Sequence, residues 1–185
     1  MTESPAAETY VHHVQSVLQT LGIAPDLPAQ RQLVLHPEPE TLVVAHTGAN
    51  GRDFLLTPEA GAAWLQMQAQ AAADGISLAL VSAFRSVARQ QEIILSQLAM
   101  GHSIESILAS VAPPGYSEHH TGRAIDIGTS ETDALEEIFE TTAAFKWLQN
   151  HANAFDFYMS YPRNNWQGFV FEPWHWCYTS AQVEV

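Results

Sequence analysis

The sequence predicts a single α+β domain in which a small antiparallel sheet is flanked by helices. A length of 185 residues suits one hydrophobic core. Helical patterns come early in the chain, whereas short strand-like segments with hairpin-like spacing come late. Hydrophobic residues make up 46% of the chain and charged residues 15%, which is typical of a globular protein. We therefore expect residues 1–185 to form one domain.

The first elements are predicted from apolar spacing and turn residues. Apolar residues at helical spacing predict a helix over residues 9–21. A strand over 42–46 is expected to pair with 54–56 through an Asn-Gly turn. We interpret residues 1–56 as an elaboration that precedes the functional core.

Helix-capping residues then predict the central elements. Thr57, followed by Pro58 and an acidic residue, is a helix start, and this helix is expected to end near Ala73. Ser86 is predicted to cap a second helix that continues through Leu98. The other predicted elements are strands over 76–81, 124–128, 155–158 and 169–178 and helices over 102–110 and 142–152.

Charge and composition exclude several classes of partner. The chain has seven Lys and Arg against 20 Asp and Glu, a net charge of -13, so nucleic acid and anionic membranes would repel it. It has no apolar run of the ~20 residues that a membrane-spanning helix needs. The single cysteine excludes an internal disulfide, and the N-terminus lacks a signal-peptide pattern. We expect a cytoplasmic monomer, or a periplasmic one if the N-terminus is processed.

A candidate metal ligand lies on the predicted strand over 124–128. Strand alternation directs Ile125 and Ile127 into the core and places Asp126 on the opposite face between small residues. Gly122 would let the backbone turn so that His119 reaches back toward this carboxylate.

A second candidate group lies near the end of the chain. Glu172 and His175 are three residues apart and would face opposite sides of a regular strand, but Pro173 predicts a bend that directs both toward one site. Two histidines and a carboxylate with an open fourth position are typical of catalytic zinc, with a further carboxylate as base. Each spacing is weak by itself, because Asp126 could be a surface residue and the nearby tryptophans could be core residues.

Four sequence blocks, in order, resemble the VanY-type D-alanyl-D-alanine carboxypeptidases. The most specific is Ser-x-His-x-x-Gly-x-Ala-x-Asp over 117–126, and Glu-Pro-Trp-His follows at 172–175. The segment 82–90 resembles the family's Ser-Gly-Tyr-Arg-Ser-x-x-x-Gln, and Phe-x-x-Ser-Tyr-Pro over 157–162 also fits. The resemblance covers about 77–178, which it identifies as a zinc peptidase core with the fold shared by D-Ala-D-Ala peptidases and the hedgehog domain.

The resemblance implies a role for each matched residue. It implies that His119, Asp126 and His175 bind one zinc ion per chain, and that Glu172 is the general base and acid. It implies that Arg85 stabilises the tetrahedral intermediate. It also implies that Ser117 and Arg85 bind substrate and that Gln90 supports the Arg85 loop, and Tyr116 is predicted to bind substrate because the motif places its hydroxyl group near the zinc.

The function that follows is removal of the terminal D-alanine from peptidoglycan stem peptides, with D,D- or L,D-specificity open. Two alternatives stay open: a zinc endopeptidase on the same scaffold and a zinc-containing binding module without catalysis. Ala83 and Phe84 replace the commoner Gly-Tyr, and the residues after His175 also depart from the family pattern. These differences affect the expected substrate preference and leave the expected chemistry unchanged.

Several chemically suggestive residues are interpreted as structural. His120 adjoins a predicted ligand but is not matched as one, and alanine at this position is expected to cost neither metal nor stability. Cys177 is expected to be a small buried apolar residue, and Arg123 a solvated one. The acids within 131–140 are expected to form a solvated face.

Overall fold

The computed structural model describes residues 5–129 and 135–179, and it confirms the α+β class with small antiparallel sheets. The helices are α1 (Pro5–Thr20), α2 (Leu27–Gln30), α3 (Pro58–Ala73), α4 (Val87–Ala99), α5 (Ile104–Ile107) and α6 (Ala143–His151). The strands are β1 (Val43–Thr47), β2 (Asp53–Leu56), β3 (Ala79–Ser82), β4 (Ala124–Gly128), β5 (Phe157–Met159) and β6 (His175–Tyr178). Three 3₁₀ helices span Glu118–Thr121, Glu137–Thr141 and Ala152–Phe155.

Strands β3 to β6 form a four-stranded antiparallel sheet with strand order β3-β4-β6-β5. Strand β4 is therefore central, and all five of its residues are buried. Its register with β6 places Asp126 directly opposite His175. Strands β1 and β2 form a separate antiparallel hairpin, as the Asn-Gly turn predicted.

The predicted helix starts are confirmed by side-chain caps. The Thr57 side chain accepts a hydrogen bond from the backbone N–H of Ala60, and the Ser86 side chain accepts one from Arg89. Each cap satisfies a backbone donor that the first turn of a helix leaves without a partner. The Ser86 cap fixes the start of α4 directly after Arg85, so it also helps to hold this predicted active-site residue.

Two predicted elements are shorter than the sequence indicated. The strand predicted over 169–178 is reduced to β6, because the backbone turns at Pro173 and the N–H of His175 donates to the carbonyl of Glu172 at 3.1 Å. The helix predicted over 102–110 is only the single turn α5. In both cases the sequence pattern overestimated the length of the regular element.

The main core lies between the four-stranded sheet and helices α3 and α6. It contains Trp64 and Met67 from α3, Leu148 from α6, and Ile125 and Ile127 from β4, each with at most 1% of its surface exposed. A second cluster joins α1 to α4 and α5. Among the described residues, no helix is both long and apolar enough to cross a membrane.

Candidate active site

A cleft with a cavity volume of about 430 Å³ lies beside the central strand β4. Seven of the eight residues predicted for the site line this cleft: Arg85, Gln90, Ser117, His119, Asp126, Glu172 and His175. Tyr116 is the exception. It packs with the α1 cluster and lines a different cavity beside Gln15 and Leu18, so the structure does not bring it to the cleft.

Three buried side chains in the cleft present possible metal ligands close to one another. His119, Asp126 and His175 each offer one ligand atom, and these atoms all lie within 4.8 Å of one another. The Nε2 atom of His119 lies 3.2 Å from one oxygen of Asp126, and the Nδ1 atom of His175 lies 3.0 Å from the other. The two imidazoles thus flank a single carboxylate, a donor set that fits zinc.

The local backbone explains how His119 joins the other two residues. His119 lies in the 3₁₀ helix that precedes β4, and Gly122 ends this turn with a φ of 64°. A β-carbon at Gly122 would come within 2.8 Å of the Leu42 side chain, so both conformation and space favour glycine. The turn that the sequence predicted at this position is confirmed.

Hydrogen bonds define which nitrogen of each histidine faces the carboxylate. The Nδ1 atom of His119 lies 2.8 Å from the carbonyl oxygen of Ala83, which leaves Nε2 toward Asp126. His175 has the opposite arrangement, because its Nε2 atom lies 2.9 Å from Glu118 and its Nδ1 atom faces Asp126. The two histidines would therefore offer a metal different ring nitrogens.

The same contacts shift the pKa values of Asp126 and His175 in opposite directions. Burial alone would raise the pKa of Asp126, but the two histidines hold it well below its usual range. Burial would lower the pKa of His175, yet hydrogen bonds to Asp126 and Glu118 raise it to about 10. A metal ion would compete with protons for this imidazole, because the nitrogen that binds a metal must be deprotonated.

Glu172 faces the same cleft from the turn before β6. Its backbone N–H donates to the carbonyl of Tyr161 at 3.1 Å, and only 7% of the residue is exposed. Burial raises the pKa of the Glu172 carboxyl to about 7. A carboxylate with a pKa near neutrality suits proton transfer in both directions.

Arg85 supplies positive charge to the cleft. Its guanidinium donates to Oε1 of Gln90 at 3.0 Å and to the hydroxyl of Ser82 at 3.1 Å, and it lies 3.8 Å from Asp126. Gln90 is itself fixed, because its amide donates to the carbonyl of Ala112 at 2.8 Å. Arg85 is the one Lys or Arg among the described cleft-lining residues.

Comparison with known proteins identifies the family. The sequence model of the family described as "VanY: D-alanyl-D-alanine carboxypeptidase" matches residues 53–181. The chain belongs to this family. The match begins upstream of the 77–178 core predicted from motifs, and it includes all of β2 and α3.

Relatives and solved structures agree with the VanY assignment. YodJ of Bacillus subtilis (strain 168) is 38% identical over 113 residues, covering 60% of this chain and 41% of YodJ. The chain thus spans less than half of the length of this curated relative. The LD-carboxypeptidase LdcB, solved for its peptidoglycan recognition, superposes with a TM-score of 0.68 and 34% identity, covering 76% of this chain and 69% of that one.

Another solved structure that resembles this chain was determined with a bound metal. It is a mutant form of the vancomycin resistance D,D-pentapeptidase VanY from a VanB-type cassette, in complex with Zn(II). It superposes with a TM-score of 0.59 and 25% identity, covering 79% of this chain and 86% of that one. The VanY-like fold that the sequence predicted is therefore confirmed.

The structure shows contacts of His120 that the sequence analysis did not expect. His120 is fully buried, its Nδ1 atom lies 2.6 Å from the carbonyl of Arg85, and its Nε2 atom accepts from the N–H of Gly115 at 3.0 Å. Both ring nitrogens are therefore used, which leaves none for a metal. The histidine instead joins the Arg85 loop of this VanY-family chain to the loop that carries Ser117.

Replacement of His120 by alanine is expected to destabilise the fold without removing the metal. The change opens a cavity and leaves a buried carbonyl and a buried N–H without partners, a cost of about 2–4 kcal/mol. The melting temperature should fall by roughly 5–15 °C. Thermal melts and elemental analysis of the purified variant measure both effects, and loss of zinc from a folded variant would contradict this role.

Three residues near the site were missed by the sequence analysis. Glu118 lies 2.9 Å from the Nε2 atom of His175, and Ser160 donates to the same Glu118 oxygen at 2.6 Å. The Tyr161 ring packs on His175 at a centroid distance of 4.7 Å. Glu118 and the pair Ser160–Tyr161 lay within motifs of the VanY resemblance, but spacing alone gave no reason to bring them to one histidine.

The structure also places Cys177, Arg123 and part of the acidic segment 131–140, which the sequence analysis interpreted as structural or solvated. Cys177 is buried, as expected, and Arg123 is exposed and does not line the cleft. Within the acidic segment, Glu131 and Asp133 lie outside the described residues. Arg163 forms exposed ion pairs with the other end of this segment, to Glu137 at 3.4 Å and to Glu140 at 2.7 Å.

Proposed function

We propose that this chain is a zinc-dependent carboxypeptidase that removes the terminal D-alanine from peptidoglycan-type stem peptides. The observation that carries the proposal is the convergence of His119, Asp126 and His175, whose ligand atoms lie within 4.8 Å of one another in a cleft that also contains Glu172 and Arg85. Membership of the VanY family and the likeness to LdcB support the substrate class.

The proposed metal site uses one atom from each of three residues. His119 would bind through Nε2, His175 through Nδ1 and Asp126 through its carboxylate, in keeping with the orientations described above. One zinc ion per chain is expected. When bound, zinc polarises a substrate carbonyl and promotes ionisation of water near neutral pH.

The proposed proton transfers are assigned to Glu172. With a pKa raised to about 7 by burial, this carboxylate can take the proton of the attacking water and later give it to the leaving amine. Arg85 would stabilise the carbonyl oxygen as it becomes negatively charged. A fixed donor of this kind is worth roughly 3–4 kcal/mol in a catalytic site.

The substrate would be bound as a peptide with a free C-terminus. Arg85 and the buried Ser117 are the proposed donors to this end of the substrate, and Gln90 is proposed to hold Arg85 rather than to contact substrate. LdcB is an LD-carboxypeptidase and the superposed VanY is a D,D-pentapeptidase, so tetrapeptide and pentapeptide stems are both candidate substrates. Action on soluble stem peptides by a cytoplasmic monomer stays a prediction.

Blocking the substrate's C-terminal carboxylate is expected to lower cleavage strongly. A hydrogen bond to a charged group is worth about 1.5–3 kcal/mol, so amidation of a tetrapeptide or pentapeptide stem should reduce kcat/KM by about 10- to 100-fold. Replacing the terminal D-alanine with L-alanine should abolish detectable release. Mass spectrometry of the products from tripeptide, tetrapeptide and pentapeptide stems measures both effects and reads the specificity directly.

The same experiment separates the alternative functions. If amidated and free peptides were cleaved equally well, or if the cut fell between L-alanine and D-glutamate, the protein would be an endopeptidase and the carboxypeptidase proposal would be wrong. A zinc-loaded protein that cuts none of the stems would favour a binding module. Ser117→Ala should lower kcat/KM on the free acid and keep its zinc, which separates substrate recognition from metal binding.

A further inference from the structure

Glu118 holds the imidazole of His175 from the side opposite the proposed metal. One Glu118 oxygen lies 2.9 Å from Nε2 of His175, while Nδ1 of the same ring lies 3.0 Å from Asp126. Glu118 does not line the cleft, whereas His175 does. The carboxylate therefore contacts the imidazole from outside the set of residues that line the cleft.

The Glu118 carboxylate is itself fixed by neighbouring groups. Ser160, which directly follows β5, donates its hydroxyl hydrogen to the same Glu118 oxygen at 2.6 Å. The backbone carbonyl of Glu118 accepts from the hydroxyl of Thr121 at 2.6 Å, which closes the 3₁₀ turn that also carries His119. The turn thus places one predicted ligand and the partner of another on consecutive residues.

The two predicted histidine ligands differ in the group that orients them. His119 uses a backbone carbonyl, that of Ala83, whereas His175 uses a carboxylate. A histidine that binds a metal through one nitrogen commonly donates its other N–H to such a group. The contact fixes the ring and increases its basicity.

We propose that Glu118, held by Ser160, is a positioning residue that orients His175 so that Nδ1 faces the metal site. The inference rests on the proposed zinc site and deepens it, because it assigns a specific group that sets metal affinity. Without this carboxylate, the Nε2 atom would lose the hydrogen bond that helps to fix which ring nitrogen faces Asp126. The Tyr161 ring, 4.7 Å away, restricts the plane of the imidazole but offers it no hydrogen bond through its face.

Zinc affinity, measured by competition with a chromophoric chelator, tests this role without reference to turnover. Glu118→Ala should weaken zinc binding by about 10- to 100-fold, the usual effect of losing such a partner. Glu118→Gln retains an oxygen that can accept from Nε2–H and should restore most of the loss. Ser160→Ala should have a smaller effect in the same direction. Glu92→Ala, on an exposed position of α4, is the matched control and should bind zinc as the wild type does.

Two further measurements distinguish positioning from a general structural role. With Co²⁺ in place of zinc, the visible absorption bands of Glu118→Ala should change, since the orientation of a ligand changes. At saturating zinc its kcat should fall while its KM stays near that of the wild type, because Glu118 does not line the cleft. A purely structural residue would lower the melting temperature of the metal-free protein and leave the affinity of the folded protein unchanged.

The possible failures can be told apart. Wild-type zinc affinity in folded Glu118→Ala would overturn the role of Glu118 and leave the proposed function intact. Absence of peptidase activity in a zinc-loaded wild type, together with weakened affinity in Glu118→Ala, would overturn the proposed function and leave the role of Glu118 standing. Failure of the wild type itself to bind zinc would overturn both.

Discussion

Replacement of Glu172 by glutamine is expected to lower turnover by about 10²- to 10⁴-fold while zinc stays bound. The amide has nearly the same shape as the carboxyl group but cannot accept the proton of the attacking water. Glu172 is not among the three residues whose ligand atoms converge, so the metal content should not change. Steady-state kinetics on a cleaved stem peptide and elemental analysis measure the two properties on the same sample. Glu92→Gln is the control for a change of charge at an exposed residue that does not line the cleft.

The stability of the Glu172 variant provides an independent check. In the metal-free protein the pKa of Glu172 is raised from 4.5 to about 7 by burial. The contribution of this group to folding is therefore fully present below pH 4.5 and is lost as the pH rises through about 7. A glutamine cannot ionise, so at pH 8 in EDTA the variant should melt at or above the wild-type temperature. A clear fall in the melting temperature of the variant would show that Glu172 has a structural role, and loss of zinc would show that it is a metal ligand.

Replacement of His119, Asp126 or His175 by alanine is expected to abolish tight zinc binding and, with it, turnover. Zinc bound only by the folded state contributes about 2.7 kcal/mol when its concentration is 100 times the dissociation constant. For a chain of this length that corresponds to roughly 5–11 °C in melting temperature. The melting temperature of the wild type should fall by this amount when EDTA is added, whereas EDTA should not change the melting temperatures of the three variants.

The EDTA-dependent shift also separates metal loss from simple destabilisation. His120→Ala is the matched control, since it changes a buried histidine beside a proposed ligand. This variant should melt at a lower temperature than the wild type with and without EDTA. Its melting temperature should still fall in EDTA by the same amount as that of the wild type. Full zinc retention in His119→Ala, or no EDTA effect in His120→Ala, would contradict the assignment of ligands.

The sequence predicted the site better than it predicted the boundaries of the elements. Strand alternation placed Ile125 and Ile127 in the core and Asp126 toward the cleft, and this arrangement is what the structure shows. The bend predicted at Pro173 brings Glu172 and His175 to one cleft. Such predictions succeed because they depend on local geometry, which a short stretch of sequence determines.

Contacts between distant segments could not be predicted in the same way. Tyr116 was assigned to the substrate by its neighbourhood in the motif, but its side chain packs on the α1 cluster, which lies far away in sequence. His120 was dismissed because it matched no ligand position, yet its two backbone partners make it part of the support of the site. A residue's partners across the fold depend on tertiary packing, for which a single sequence carries no direct signal.

The pairing of Asp126 with His175 across β4 and β6 determines where the chain can change in length. Inserting or deleting one residue between Gly122 and Asp126 would reverse the alternation of β4 and turn an isoleucine toward the cleft. The connection between β4 and α6 carries no proposed metal ligand, although its described residues Leu135 and Phe139 line the cleft and the main core. A change in length before Asp126 is therefore expected to disrupt the proposed metal site, whereas a change after β4 is expected to leave its three ligands in place.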